Sequence, residues 1–262
     1  MKILRCRYKN ENHYAVLDGQ EVKKLSGDME SGFETGKKLA NINQIKLLAP
    51  VLPPNIIAIG LNYQKHAEES NSSMPERPVV FIKATTSLAG PEDNIKLPQT
   101  APDEVDYEAE LAVVIGRKAK NIAPKEVSDY IIGYTCANDV TARDCQQRLD
   151  KQWARAKSFD TFCPLGPWIE TELDPDSCHI KSVLNGKVMQ ESNTSDMIFN
   201  VDDIVSYLSK NMTLLPGTVI LTGTPEGVGF ARDEPVFLES GDEIEIKIDG
   251  IGSLKNEVIN ED

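Results

Sequence analysis

Two carboxylates stand two residues apart in Asp106-Tyr107-Glu108-Ala109-Glu110-Leu111-Ala112-Val113-Val114, at the entrance to an apolar run. Side chains alternate along a strand, so Glu108 and Glu110 project from the same face. Held side by side, they repel each other unless something positive lies between them. A third acid, Asp139, lies in Ala137-Asn138-Asp139-Val140-Thr141, just after the apolar Tyr130-Ile131-Ile132-Gly133-Tyr134. Oxygen-only donors that leave coordination positions open suit Mg²⁺ or Mn²⁺ far better than Zn²⁺ or copper. A solvated strand face closed by a salt bridge would show the same spacing.

In Gly60-Leu61-Asn62-Tyr63-Gln64-Lys65-His66-Ala67-Glu68-Glu69, His66 and Glu69 are three apart and share a face if the stretch makes a helical turn. A carboxylate beside an imidazole orients it and raises its basicity, as a general base requires. A surface helix of mixed charge reads equally well. His13 and His179 have no such context. Beyond Glu69, the run Ser70-Asn71-Ser72-Ser73-Met74-Pro75-Glu76-Arg77-Pro78 offers little to bury, which predicts a mobile lid carrying the imidazole. Gly223-Thr224-Pro225-Glu226-Gly227-Val228-Gly229 lacks the Lys-Ser/Thr of a phosphate loop, and no helix pattern follows it. It reads instead as a tight turn offering backbone N–H groups to a carboxylate. The absence of G-x-S-x-G argues against a serine hydrolase.

The elements that must position these groups are mostly strands. Tyr14-Ala15-Val16-Leu17 and Glu21-Val22-Lys23-Lys24-Leu25 flank Asp18-Gly19-Gln20, a hairpin signal. The stretch from Ser26 to Gly36 carries little apolar pattern, and Val51-Leu52-Pro53-Pro54 then interrupts regular structure. This places a small N-terminal β domain at residues 1–52 and the main domain at 53–262. Ile56-Ile57-Ala58-Ile59, Val79-Val80-Phe81-Ile82, Leu111-Ala112-Val113-Val114-Ile115 and Val219-Ile220-Leu221 read as buried strands, as do the alternating Ile244, Ile246 and Ile248. Asn185-Gly186 and Asp249-Gly250 mark further hairpins. Helices are predicted over 124–130, 141–149 and 201–210, the last with Ile204, Val205 and Leu208 on one face. The fold class is α+β and predominantly β.

With 28 Lys+Arg against 41 Asp+Glu, the net charge of −13 disfavours nucleic acid and anionic lipid as partners. A small anionic substrate would meet an adverse field, so its site needs local positive charge. The five cysteines form no CxxC pair, and no apolar run approaches the ~20 residues of a membrane span. The first residues lack the apolar stretch of a signal peptide, so a cytoplasmic location is expected.

Taken together and in order, these segments resemble the fumarylacetoacetate hydrolase family from about Pro54 to Ile259. The resemblance is carried by Ile59-Gly60-Leu61-Asn62-Tyr63 with His66, Phe81-Ile82-Lys83-Ala84, Asp106-Tyr107-Glu108-Ala109-Glu110-Leu111 and Asn138-Asp139-Val140-Thr141-Ala142-Arg143-Asp144. It continues through Ala156-Lys157-Ser158-Phe159-Asp160 and Leu221-Thr222-Gly223-Thr224-Pro225-Glu226-Gly227-Val228-Gly229. It implies rolled β-sheets with the site at one end, an N-terminal cap domain and a homodimer. It also implies Glu108, Glu110 and Asp139 as ligands of Mg²⁺ or Mn²⁺, and His66 with Glu69 as a catalytic dyad. Lys157 would face the substrate near the metal, where a neighbouring cation lowers its pKa. Gln146 would position substrate or water, and Lys83 and Thr224 would lie near the substrate carboxylate. Ala84 departs from the proline many relatives carry there. The implied substrate is a small 2-oxo or 1,3-dioxo carboxylic acid. Hydrolysis of a C–C bond in an acylpyruvate-like acid is the first reading. Isomerisation, tautomerisation or decarboxylation through the same enolate comes second, and a catalytically silent binding protein third.

Overall fold

The computed structural model describes residues 1–261; Asp262, the last residue assigned above to the main domain, lies outside the described residues. The N-terminal strands β1 (Lys2–Tyr8), β2 (Glu11–Asp18), β3 (Glu21–Asp28) and β4 (Gly32–Asn41) form an antiparallel meander. A short β5 (Lys46–Leu48) pairs back on β1. The hairpin around Gly19 forms as expected, with that glycine at φ 59°. The weakly patterned stretch 26–36 is not a loop, because it completes β3 and β4. Most of its side chains are exposed, so ladder hydrogen bonds hold it rather than burial, and hydropathy alone carries no signal of it.

After the two prolines come β6 (Ile56–Gly60), helix α1 (Gln64–Glu69), β7 (Val79–Lys83), β8 (Leu88–Ala89), β9 (Ile95–Leu97) and β10 (Val105–Asp106). Next are β11 (Ala109–Ile115), β12 (Ile131–Asn138), β13 (Thr141–Ala142) and β14 (Cys163–Glu170). The remainder is β15 (His179–Leu184), β16 (Lys187–Asn193), helix α2 (Val201–Asn211), β17 (Val219–Leu221), β18 (Glu243–Ile248) and β19 (Gly252–Asn260). One 12-stranded sheet runs β4-β3-β2-β1-β14-β12-β11-β17-β6-β7, with β5 and β8 attached beside that path. A second sheet runs β16-β15-β18-β19-β9. The N-terminal meander thus joins the main sheet through β1 and β14.

β11 explains why the layers pack. Its seven residues are all buried, and they divide by alternation. Leu111, Val113 and Ile115 enter one core with Ile244, Ile246 and Ile248 of the second sheet. Ala112 and Val114 enter another with Ile3, Ile169, Val219 and Leu221. Each fully buried aliphatic side chain of this kind contributes about 1.5–3 kcal/mol. β7, read from sequence as buried, is instead an edge strand with Val79 and Ile82 exposed. An edge strand has only one strand neighbour, so part of its apolar surface stays open.

Two predicted helices take other forms. Residues Pro124–Tyr130 make a 3₁₀ rather than an α-helix. The segment 141–149 divides into β13, which pairs with β10, and a π-helical turn at Cys145–Leu149. The third helix is α2, with Ile204, Val205 and Leu208 buried as the periodicity requires. Asn200 caps it by accepting the Asp203 N–H at 2.9 Å, and acids in the first turn complement the helix dipole. No helix among the described residues is long and apolar enough to cross a membrane.

Candidate active site

The three acids converge because β11 and β12 are antiparallel neighbours, with Ala109 opposite Asn138. That register sets Glu108, just before β11, beside Asp139, just after β12. The Asp139 N–H donates to the Glu108 carbonyl at 2.9 Å, and the Glu108 N–H donates to the Asn138 side chain at 3.0 Å. Glu108, Glu110 and Asp139 are all buried, and each offers a ligand atom within 4.8 Å of the others. They form a group that could hold a metal ion.

Three buried cations surround this charge. The Lys157 ammonium bridges Glu108 Oε2 and Asp139 Oδ2, at 2.8 Å each. Arg143 Nη2 lies 2.8 Å from Glu108 Oε1, and Lys83 pairs with Asp139 Oδ1. Burial alone would push the Glu108 carboxyl up, but Lys157 and Arg143 outweigh it and hold the carboxyl down at about 2. Among the described residues, Glu110 receives only the Gly223 N–H, at 2.7 Å. Burial, then repulsion from Asp139 and Glu108, raises its carboxyl well above the usual range. Burial would lower the Lys157 ammonium, but Asp139 and Glu108 more than compensate and raise it. The donor set fits a hard divalent ion: it is all oxygen, and each carboxylate oxygen has a second lone pair beyond the one given to an ammonium or N–H.

His66 sits on α1, whose six residues bury only His66 and Ala67. Its Nδ1 lies 2.9 Å from Glu69 Oε1, the helical-turn geometry that the spacing of three predicts. The Gly227 N–H in turn donates to both Glu69 oxygens, at 3.1 and 2.9 Å. Gly223 and Gly227 therefore present N–H groups to Glu110 and Glu69, while Gly229 and Phe230 present theirs to Asp106 at 2.8 and 3.1 Å. The glycine-rich turn offers N–H groups to carboxylates as its sequence suggests, and the recipients are three acids of the chain itself.

A cavity of about 320 Å³ opens onto these groups. His66, Glu108, Glu110, Lys157, Gln146 and Thr224 line it, while Glu69 lies behind His66. Asp139 and Lys83 lie deeper: Lys83 has no exposed side-chain surface and contacts Asp139 and the Val140 carbonyl rather than the cavity. The Thr224 hydroxyl donates to the Ala109 carbonyl at 3.0 Å and accepts from Gln190 at 2.7 Å. Arg143, quoted in sequence only as part of a motif, emerges as a central contact. Its Nε bonds Asp106 and its Nη1 bonds Gln146, each at 2.8 Å, and it stacks 4.3 Å from the Phe230 ring centre. No spacing rule could have paired residues 37 apart. The apolar walls include Leu61, Phe81 and Trp153. Trp153 packs so closely over Gly60 that a Cβ there would lie 2.5 Å from its ring.

With this geometry in place, comparison with known proteins is decisive. The family model described as fumarylacetoacetate (FAA) hydrolase C-terminal matches residues 55–259, and the Rv2993c-like N-terminal model matches residues 1–50. The chain belongs to the fumarylacetoacetate hydrolase family. Among relatives, it is 46% identical to the mitochondrial oxaloacetate tautomerase Fahd2a of Rattus norvegicus, over 83% of this chain and 70% of that protein. The structure of 5-carboxymethyl-2-hydroxymuconate delta-isomerase from Mycobacterium smegmatis superposes with a TM-score of 0.90 at 42% identity, covering all of both chains. Maleylpyruvate hydrolase from Sphingobium sp. SYK-6, in complex with manganese(II) and pyruvate, superposes at 0.80 with 29% identity, again over all of both chains. The protein is therefore an enzyme of this family, with a β-rich fold and an acidic group able to hold a metal.

Proposed function

We propose that this enzyme moves a proton at the carbon beside the keto group of a small 2-oxo carboxylic acid, as a tautomerase or isomerase. The observation that carries this reading is that His66, oriented by Glu69, opens onto the same cavity of about 320 Å³ as Glu108, Glu110 and Lys157. Mg²⁺ or Mn²⁺ held by Glu108, Glu110 and Asp139 would supply a Lewis acid toward the carboxylate and keto oxygens. His66 takes the proton and returns it, while Glu69 keeps its Nδ1 side engaged so that Nε2 faces the substrate. Lys157 and Arg143 place positive charge where negative charge develops on the substrate. Gln146, whose side-chain oxygen accepts from Arg143, orients the acid, and Phe81, Trp153 and Phe230 exclude water. Lys83 acts from behind by fixing Asp139, while Thr224 holds the turn at the cavity wall, beside the acid. The relatives named tautomerase and isomerase support proton transfer over bond cleavage.

A second reading, C–C hydrolysis of an acylpyruvate-like acid, is supported by the neighbour named maleylpyruvate hydrolase. Here His66 would take its proton from water. A homodimer in the cytoplasm belongs to either version. The deciding experiment follows, with Mg²⁺ or Mn²⁺ present, loss of the enol absorbance of oxaloacetate beside cleavage of acetylpyruvate. Rapid ketonisation without cleavage supports the first reading, and release of acetate and pyruvate supports the second. Undiminished rates after exhaustive chelation would exclude both.

A further inference from the structure

α1 is too short to stand alone. A six-residue helix without a side-chain N-cap bond is far below the ~12–15 residues at which isolated helices become even marginal. Its far end is held by the Gly227 N–H, which donates to both oxygens of Glu69. The orientation of His66 therefore depends on where the Gly227 peptide sits.

That peptide is gripped from its other side. The Gly227 carbonyl accepts from Arg232 Nη2 at 3.2 Å and from the Tyr107 hydroxyl at 3.5 Å. The same Arg232 nitrogen also bonds the Met189 carbonyl of β16, so Arg232 and Tyr107 meet at one carbonyl oxygen, that of Gly227. Gly227 has φ +95°, and a Cβ there would lie 2.3 Å from the Met189 carbonyl oxygen. The turn is thus pressed against β16 and can be occupied only by glycine. Tyr107 is fully buried and directly precedes Glu108, so the chain links the acidic cluster to the dyad through one peptide group.

We propose that Tyr107 and Arg232 are positioning residues for the His66–Glu69 pair, acting through the Gly227 peptide. Neither lines the cavity, so neither touches the substrate. The proposal rests on the reading of His66 as the proton-transfer group, but its structural half can be tested separately. Arg232→Met removes the grip on the carbonyl, and Tyr107→Phe removes only a hydroxyl, so a folding defect in the first does not decide the matter.

Two measurements are made without substrate: hydrogen exchange at Ala67, Ser70, Asn71 and Ser72, whose N–H groups close α1, and the His66 ring NMR signals. Arg232→Met is expected to speed exchange there about tenfold, the scale of one hydrogen bond from a charged donor. Tyr107→Phe, losing the longer bond, is expected to give about threefold. The His66 signals shift in both, while α2 keeps its protection. With Mn²⁺ and oxaloacetate, kcat falls by similar factors, and KM and Mn²⁺ affinity stay within about twofold. Unchanged exchange and unmoved His66 signals overturn the proposal, whatever the rate does. Faster exchange and shifted signals with full turnover uphold the positioning and defeat instead the reading of His66 as the base.

Discussion

The acids and the imidazole gathered at the cavity are built on different foundations. Glu110 stands on β11, flanked on both sides by strands, and every oxygen of Glu108 and Asp139 meets a buried cation. His66 rides on six residues of helix in the connection between the last two strands of the sheet, tethered through Glu69 to one peptide N–H. The polar segment beyond it, residues 71–77, is largely exposed. The comparison teaches where adjustment is possible. The six buried, ion-paired groups Asp106, Glu108, Asp139, Lys83, Arg143 and Lys157 cannot shift without leaving one unpaired, which is costly, whereas a short helix with a single tether has less to lose by shifting.

The largest expected break comes on the rigid side. Glu108→Gln should lower metal-dependent turnover by at least ~10³-fold and abolish Mn²⁺ binding by calorimetry, with the fold kept. Retained Mn²⁺ affinity would remove Glu108 from the ligand set. On the side of the tethered helix, His66→Ala should cost roughly 10²–10⁴-fold in kcat and leave Mn²⁺ affinity nearly unchanged. Loss of metal together with activity would mean that His66 is a ligand and that the two halves are not separate. Between them lies Lys157, which bonds two of the acids yet lines the cavity. Lys157→Met should lower kcat by about 10–100-fold and affect KM less, and a change in KM alone would make its contact uniform binding.

The smallest effect sharpens the contrast without mutation. Adding Mg²⁺ with oxalate, an inert oxo-acid mimic, should slow hydrogen exchange across residues 64–78 by a few-fold, while β11 and β12 stay unchanged. Unaltered exchange in that window, with oxalate shown to be bound, would leave the helix as fixed as the strands.

Much of the site could be read directly from sequence because its parts are local. The Glu108–Glu110 alternation and the His66–Glu69 spacing of three are periodic consequences of a strand and a helical turn, so residue type and interval suffice. The glycine-rich turn announced its N–H groups through composition alone. Where a partner lies far along the chain, sequence was silent. Arg143 reaches back 37 residues to Asp106, and Gly227 reaches back 158 to Glu69. Lys83, expected beside the substrate, is carried by β7 to a place behind Asp139.

The same division holds for the fold. Alternating and continuous apolar runs determined β6, β11, β17 and β18, because burial on one or both faces leaves its period in the residues. The sequence did not determine that β7 would be an edge, that 26–36 would pair despite exposed side chains, or that 141–149 would split into a bridge and a π-turn. Those outcomes depend on which strand lies alongside, and backbone hydrogen bonds are indifferent to side-chain hydropathy. Sequence by itself determined which chemical groups the protein possesses and which of them are close neighbours. Only the tertiary structure decided which charges are paired, which face the cavity and what holds the base, because burial and pairing are set by chain crossings that no local period records.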